Sequence, residues 1–189
     1  MGRMRGHLGL MTLMVMMTCG AYTVRSQTVL TRTLNKQFTL QAIAMLDIEP
    51  DAGSIQLVVP VPTEAGEPLL VTGVTDNSKW LNYTSAVPLS LSRDITVQLT
   101  SGTIPSGILL KLNVSNDAGF GAGTKGSPAA TLTIGSAAQA CISGIGGCYT
   151  GDGANNGHSL TYSLEISNFS LLSSVTASSA TVTYTLLDH

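Results

Sequence analysis

Apolar and polar residues alternate with a period of two along most of the chain, and no long stretch of helical period competes with them. Phe38, Leu40, Ala42, Ala44, Leu46 and Ile48 share one face of a predicted strand that starts near Lys36. Ile95, Val97 and Leu99 alternate with Thr96, Gln98 and Thr100, and Ile108, Leu110, Leu112 and Val114 alternate across Lys111 and Asn113. Leu132 and Ile134 mark a short strand. Leu160, Tyr162, Leu164 and Ile166 form another, and Val182, Tyr184 and Leu186 form the last, with Thr181, Thr183 and Thr185 between them. Such rows suit a pleat with one face in a core and one in water. Residues 50–53, 75–78, 101–102, 105–107 and 155–157 are turn sequences rich in Pro, Gly, Asp, Asn and Ser. Many short strands with regular turn signals predict a sandwich or barrel. Unequal strands and variable loops favour the sandwich. The expected fold is therefore all-β, an immunoglobulin-like antiparallel β-sandwich.

The first residues follow other rules. Arg3 and Arg5 precede an apolar run over residues 8–17, and small residues follow at Cys19, Gly20 and Ala21. Six of the seven methionines fall in this segment, which separates it from the rest. This is the layout of a secretory signal, with cleavage expected near Gln27. The run is about ten residues, short of the ~20 that span a bilayer, so no stable membrane span is expected. Cys19 follows Met16, Met17 and Thr18 and lacks the small residue that lipid attachment uses directly before the cysteine. The resulting division is a signal peptide over 1–26, an N-terminal extension or first strand over 27–37, and a sandwich domain over 38–189.

Export changes how charge and cysteine are read. Beyond Ser26, six Lys/Arg face eleven Asp/Glu. That excess of negative charge, without a basic cluster, argues against a nucleic-acid partner. Cys141 and Cys148 form an even pair, and in an oxidising compartment they are expected to close a disulfide around a short loop. Their spacing is not that of a zinc site, so no metal or other cofactor is expected.

Candidate chemistry is thin. Gly121, Gly123 and Gly126 spell GxGxxG, but Ser127-Pro128 and a short strand follow where the nucleotide motif needs a helix, so a flexible hairpin loop is expected. The segment from Asp152 to His158 resembles a calcium loop only at its first residue, because Ala154 and Ser163 stand where an EF-hand needs oxygen ligands. No GxSxG elbow is present, and His158 with Asp152 nearby defines no triad, so a hydrolase ranks third among the functions and the chain is expected not to be an enzyme. Trp80 and Tyr83 are the one aromatic pair suited to stacking on a sugar, against the alternative that Trp80 fills the core.

The two ends share a pattern. An alternating strand around Leu34, Phe38, Leu40 and Ala42 follows a polar N-terminal stretch, and the last strand carries Tyr184 close to the C-terminus. In this the chain resembles the immunoglobulin-like subunits of chaperone–usher pili and related fimbriae. The resemblance implies a sandwich open to completion by a strand donated from the next subunit, a mode of β-augmentation. It implies other copies or related subunits as partners, a periplasmic chaperone, and a final place at the cell surface or outside the cell, reached through the periplasm. Contact residues would be Val29, Leu30 and Leu34 on the donating segment and Val182, Tyr184 and Leu186 on the last strand. The expected function is a structural subunit of a surface fibre, with a carbohydrate-binding or adhesive module as the alternative.

Overall fold

The computed structural model describes residues 32–175 and 177–189. The expected signal peptide over 1–26, Val29 and Leu30 lie outside the described residues. Among the described residues nine strands follow one another: β1 (Ile43–Glu49), β2 (Thr75–Ala86), β3 (Arg93–Gly102), β4 (Ile108–Val114), β5 (Ala122–Pro128), β6 (Leu132–Thr133), β7 (Gln139–Tyr149), β8 (His158–Ile166) and β9 (Ala180–Asp188). One short 3-10 turn, Phe169–Leu171, precedes β9. The fold is all-β, antiparallel and sandwich-like.

The ladder runs β6-β4-β8-β2-β7-β3-β9, with β1 on β2 and β5 on β7. β2 is the joint. Its first part pairs with β8, whereas Thr84 and Ser85 pair with Tyr149 and Cys148 of β7. Strands β1, β2, β8, β4 and β6 thus form one layer, and β5, β7, β3 and β9 the other. Both layers supply the core: Leu81, Tyr83, Leu112, Val114, Leu160 and Tyr162 from the first meet Ile95, Val97, Cys141, Ile142 and Ile145 from the second. The Tyr162 and Tyr184 hydroxyls join across the layers at 2.7 Å.

Strands expected around Ile95, Leu112, Leu160 and Tyr184 stand where the alternation puts them. Several segments differ, and Ser101-Gly102, expected as a turn, instead ends β3 in register with β9. The strand expected from Lys36 begins only at Ile43, and Phe38 and Leu40 are 89% and 83% exposed. The cause is its partner: Ile43 pairs with Ala86, after which Pro88 accepts a turn bond from Leu91 and the ladder has no further rungs. The expected turn at residues 75–78 is instead the start of β2, where Asp76 accepts bonds from Ser78 and the register shifts before Lys79. Turn chemistry there makes a bulge rather than a reversal. The glycine segment expected to be a hairpin loop carries β5, an edge strand on β7.

Leu81 is fully buried at the centre of this packing. Leu81→Ala is expected to cost about 3 kcal/mol in denaturant unfolding, through lost burial and an unfilled cavity. Phe38→Ala, at an exposed position, should stay within ~0.5 kcal/mol.

Candidate interaction site

A candidate site emerges from the strands that end the layers. β1 pairs only with β2, and β9 only with β3, among the described residues. The two strands approach one another but share no ladder. Between them lies an open cleft of about 280 Å³, bounded by Leu46, Asp47 and Ile48 of β1, by Ala52 just beyond it, and by Val182, Thr183 and Tyr184 of β9. The cleft is open to solvent, and its lining mixes polar and apolar groups. Leu46, Ile48, Val182, Tyr184 and Leu186 are half-buried and already pack against the core. An unpaired backbone edge beside an apolar floor is the arrangement that accepts an added strand.

Two cations frame this side. Arg93 is buried, and its Nη1 donates to the carbonyl of Ile43, to Ser85 Oγ at 3.1 Å and to the carbonyl of Ala86 at 3.4 Å. Its Nε donates to Asp188 Oδ1 at 2.6 Å. One side chain on β3 thereby ties the start of β1, the end of β2 and the end of β9. Further along, Lys79 Nζ on β2 donates to the carbonyl of Asp51 at 3.0 Å and to its carboxylate at 2.6 Å. The Lys79 hydrogen bond, helped by the backbone N–H of Gly53, holds the Asp51 carboxyl below its ordinary range. The cleft opens between these two fastenings.

A second polar cluster lies in the core. His158 Nδ1 donates to the carbonyl of Ser115 at 2.8 Å, and Nε2 meets the Tyr83 hydroxyl at 2.8 Å. The same hydroxyl lies within hydrogen-bond distance of the Lys125 carbonyl, so its one proton is shared between that oxygen and the imidazole. The Tyr83 and His158 rings stack 5.7 Å apart and nearly parallel. Lys125 in turn is paired with Asp117, beside the cluster. Burial makes His158 harder to protonate than a free imidazole, although the Ser115 carbonyl and Asp117 act in the opposite direction. Burial likewise raises the Tyr83 phenol.

The sequence-derived candidates separate on this geometry. Tyr83 is only 3% exposed and bound to His158, so it is no stacking platform for a sugar. Trp80, three residues before Tyr83 on β2, is half-buried and paired with Glu49 on one side and Ser159 on the other. The expected Cys141–Cys148 disulfide is not formed: both thiols are free and buried. Both lie on the single strand β7, seven residues apart, on the order of 20 Å at the ordinary strand rise. A disulfide needs Cα atoms within roughly 7 Å. Residues 142–147, expected as the loop it would close, are strand. Burial pushes the Cys141 thiol up to about 12, and Cys141 Sγ donates weakly to the carbonyl of Ile95 at 3.2 Å. Leu34 is 78% exposed, whereas Val182, Tyr184 and Leu186 turn inward beneath the free edge of β9. His158 uses both ring nitrogens inside the core, and the Asp152 loop closes on itself through Asn156 Nδ2 and the Asp152 carbonyl at 2.6 Å. Among the described residues no group of three or more His, Cys, Asp or Glu is placed to hold a metal ion, and no helix is long and apolar enough to cross a membrane. The cleft had no signature of its own in the sequence, since it depends on which edges remain unpaired.

No family model, no curated protein and no solved structure matches this chain.

Two predictions test the framing groups. Arg93→Met leaves the Ile43 carbonyl and Ser85 without a donor and should cost about 2–4 kcal/mol in denaturant unfolding. Asp188→Asn removes only a solvent-exposed partner and should cost less than ~1 kcal/mol. The buried imidazole sets a pH dependence. His158 has a folded-state pKa below its ordinary 6.5, so the unfolded chain takes up the proton first. Stability from this group is complete above that value and declines as pH falls through it. Thermal unfolding between pH 7.5 and 5 should show Tm dropping on acidification, and His158→Gln should flatten that drop.

Proposed function

We propose that the chain is an exported structural subunit of a surface fibre, assembling with other copies or related subunits by strand addition. The observation that carries this reading is a pair of complementary features in one chain. Ahead of β1 runs a segment with Leu34, Phe38 and Leu40 on alternate positions and exposed to solvent. On the domain itself, the free edges of β1 and β9 flank a cleft of mixed lining, to which Leu46, Ile48, Val182 and Tyr184 contribute apolar side chains. Three large apolar side chains left in water are unfavourable by roughly 1.5–3 kcal/mol each relative to burial. Seating them in the cleft of a neighbour, with main-chain bonds to β9, removes that cost. The extended side chains alternate as an added strand requires.

Export through the periplasm fits the basic and apolar start of the chain, and a chaperone that caps the β9 edge before assembly fits the same geometry. A carbohydrate-binding module draws little from the aromatic pair, because Tyr83 is enclosed.

The mature protein from Gln27 is expected to form oligomers or filaments visible by electron microscopy and by sedimentation. Deleting residues 27–40 should leave the same β-rich circular dichroism with a monomeric sedimentation coefficient. Replacing Phe38 and Leu40 together by Asp should act like the deletion, while Asp at Thr39 and Gln41, on the opposite face, should be tolerated. Normal filaments from the truncated chain, or a stable monomer from the intact one at high concentration, would sink the proposal.

A further inference from the structure

The connection from β1 to β2 runs for 25 residues without a strand, and its first part is not an ordinary loop. From Ile55 onward, half-buried residues (Ile55, Leu57, Val59) alternate with exposed ones (Gln56, Val58, Pro60). This is the burial rhythm of a strand with one face inward. Ile55 and Leu57 pack against the buried core. Yet among the described residues no backbone–backbone hydrogen bond joins residues 54–62 to any strand. The segment is seated by side chains and not by its main chain.

Its root is fixed. Asp51 is held by Lys79, and its carboxylate also accepts the N–H of Gly53 at 2.7 Å. Ala52, two residues before Ser54, is part of the wall of the β1–β9 cleft. The far end turns back on itself, where Glu67 accepts bonds from Thr63 and from the N–H of Glu64. The segment is therefore anchored at one end, strand-like in burial, unbonded along its backbone, and continuous with the wall of the cleft.

We propose that residues 54–62 form a strap that shields the apolar interior beside the cleft in the free subunit and is displaced when a strand from another copy is added. This rests on the strand-addition reading above and gives it a control. A main-chain ladder would make the cover permanent. Side-chain packing alone makes it reversible, and an incoming strand that bonds to the free β9 edge has what the strap lacks. As long as the strap is seated, only the fraction of molecules with it open is competent, and apparent affinity is lowered by that fraction.

The test uses the mature chain lacking residues 27–40, so that its own segment cannot compete, and a fluorescent synthetic peptide of residues 34–44. Ile55→Asp with Leu57→Asp should unseat the strap and tighten peptide binding at least tenfold. A second measurement does not depend on that variant folding. Gln56 is exposed and the two native thiols are buried, so Gln56→Cys takes an environment-sensitive dye selectively. The dye should shift in emission with the same saturation curve as peptide binding. Equal affinity for the double variant and its parent, with an unmoved dye, would overturn the strap and leave strand addition standing. A peptide that binds neither protein would overturn both.

Discussion

The contacts of the Arg93 guanidinium constrain this fold more than any other single interaction. It is a buried cation on β3 whose partners lie on β1, β2 and β9. Without such a bridge nothing on the ladder connects β1 to β9, because each is the last strand on its side. Arg93 thus closes one end of a side that the sheet leaves open. Carbonyl oxygens and Ser85 accept from Nη1, and Asp188, which stays largely in water, adds a charge-assisted bond to Nε at the rim. Since the closure is local, the two strands diverge from it into the cleft. The Lys79–Asp51 pair then fastens the chain where it leaves β1.

Much of the architecture was legible from alternation alone. Ile95 with Val97, Leu112 with Val114, and Leu160 with Tyr162 fall inside because regular strands with one wet face leave that trace. What escaped was irregular. β7 turns Cys141, Ile142, Ile145 and Cys148 all inward, at spacings that simple alternation forbids. Register shifts against β3 and β5 make this possible. A strand of that kind, sown with Gly144, Gly146 and Gly147, carries the same local signals as a loop, and its two cysteines look like a staple. β5 hid for a related reason. Gly123 sits at φ 94, where an added Cβ would stand 2.1 Å from the Gly147 carbonyl oxygen. Its glycines serve a close approach of two backbones rather than flexibility.

The candidate site was legible only in part. Val182, Tyr184 and Leu186 could be placed on the inner face of the last strand from their spacing, and Leu34, Phe38 and Leu40 on one face of an extended segment. That β1 would stop at Ile43, and so leave Phe38 and Leu40 in water, depended on where its partner strand ended. Tyr83 misled because an aromatic residue near a tryptophan suggests a platform. Its hydroxyl instead meets a carbonyl and a histidine inside the core, which is where a buried phenol finds partners.

The strands that end the layers differ in how well they resist pairing, and under the proposed strand addition that difference would give assembly a direction. β6 is two residues long, too short to template a partner. β5 carries positive φ at Gly123 and Gly126, shifts register against β7 and ends at Pro128, so its free edge is uneven and lacks a donor. β1 is seven residues long and carries Asp47 and Glu49. β9 has nine residues, no Lys, no Pro and alternating threonines on its outer face, and its one carboxylate, Asp188, sits at the end of the strand and is tied to Arg93. Its inner side chains already touch the core, so a strand laid along it finds both hydrogen-bonding groups and an apolar floor. Edges guarded by shortness (β6), irregularity (β5) or charge (β1) would leave β9, beside the cleft, as the preferred place for the proposed addition. That is the asymmetry a head-to-tail polymer needs, since a self-complementary patch would stop at a dimer whereas a segment entering a different surface can propagate.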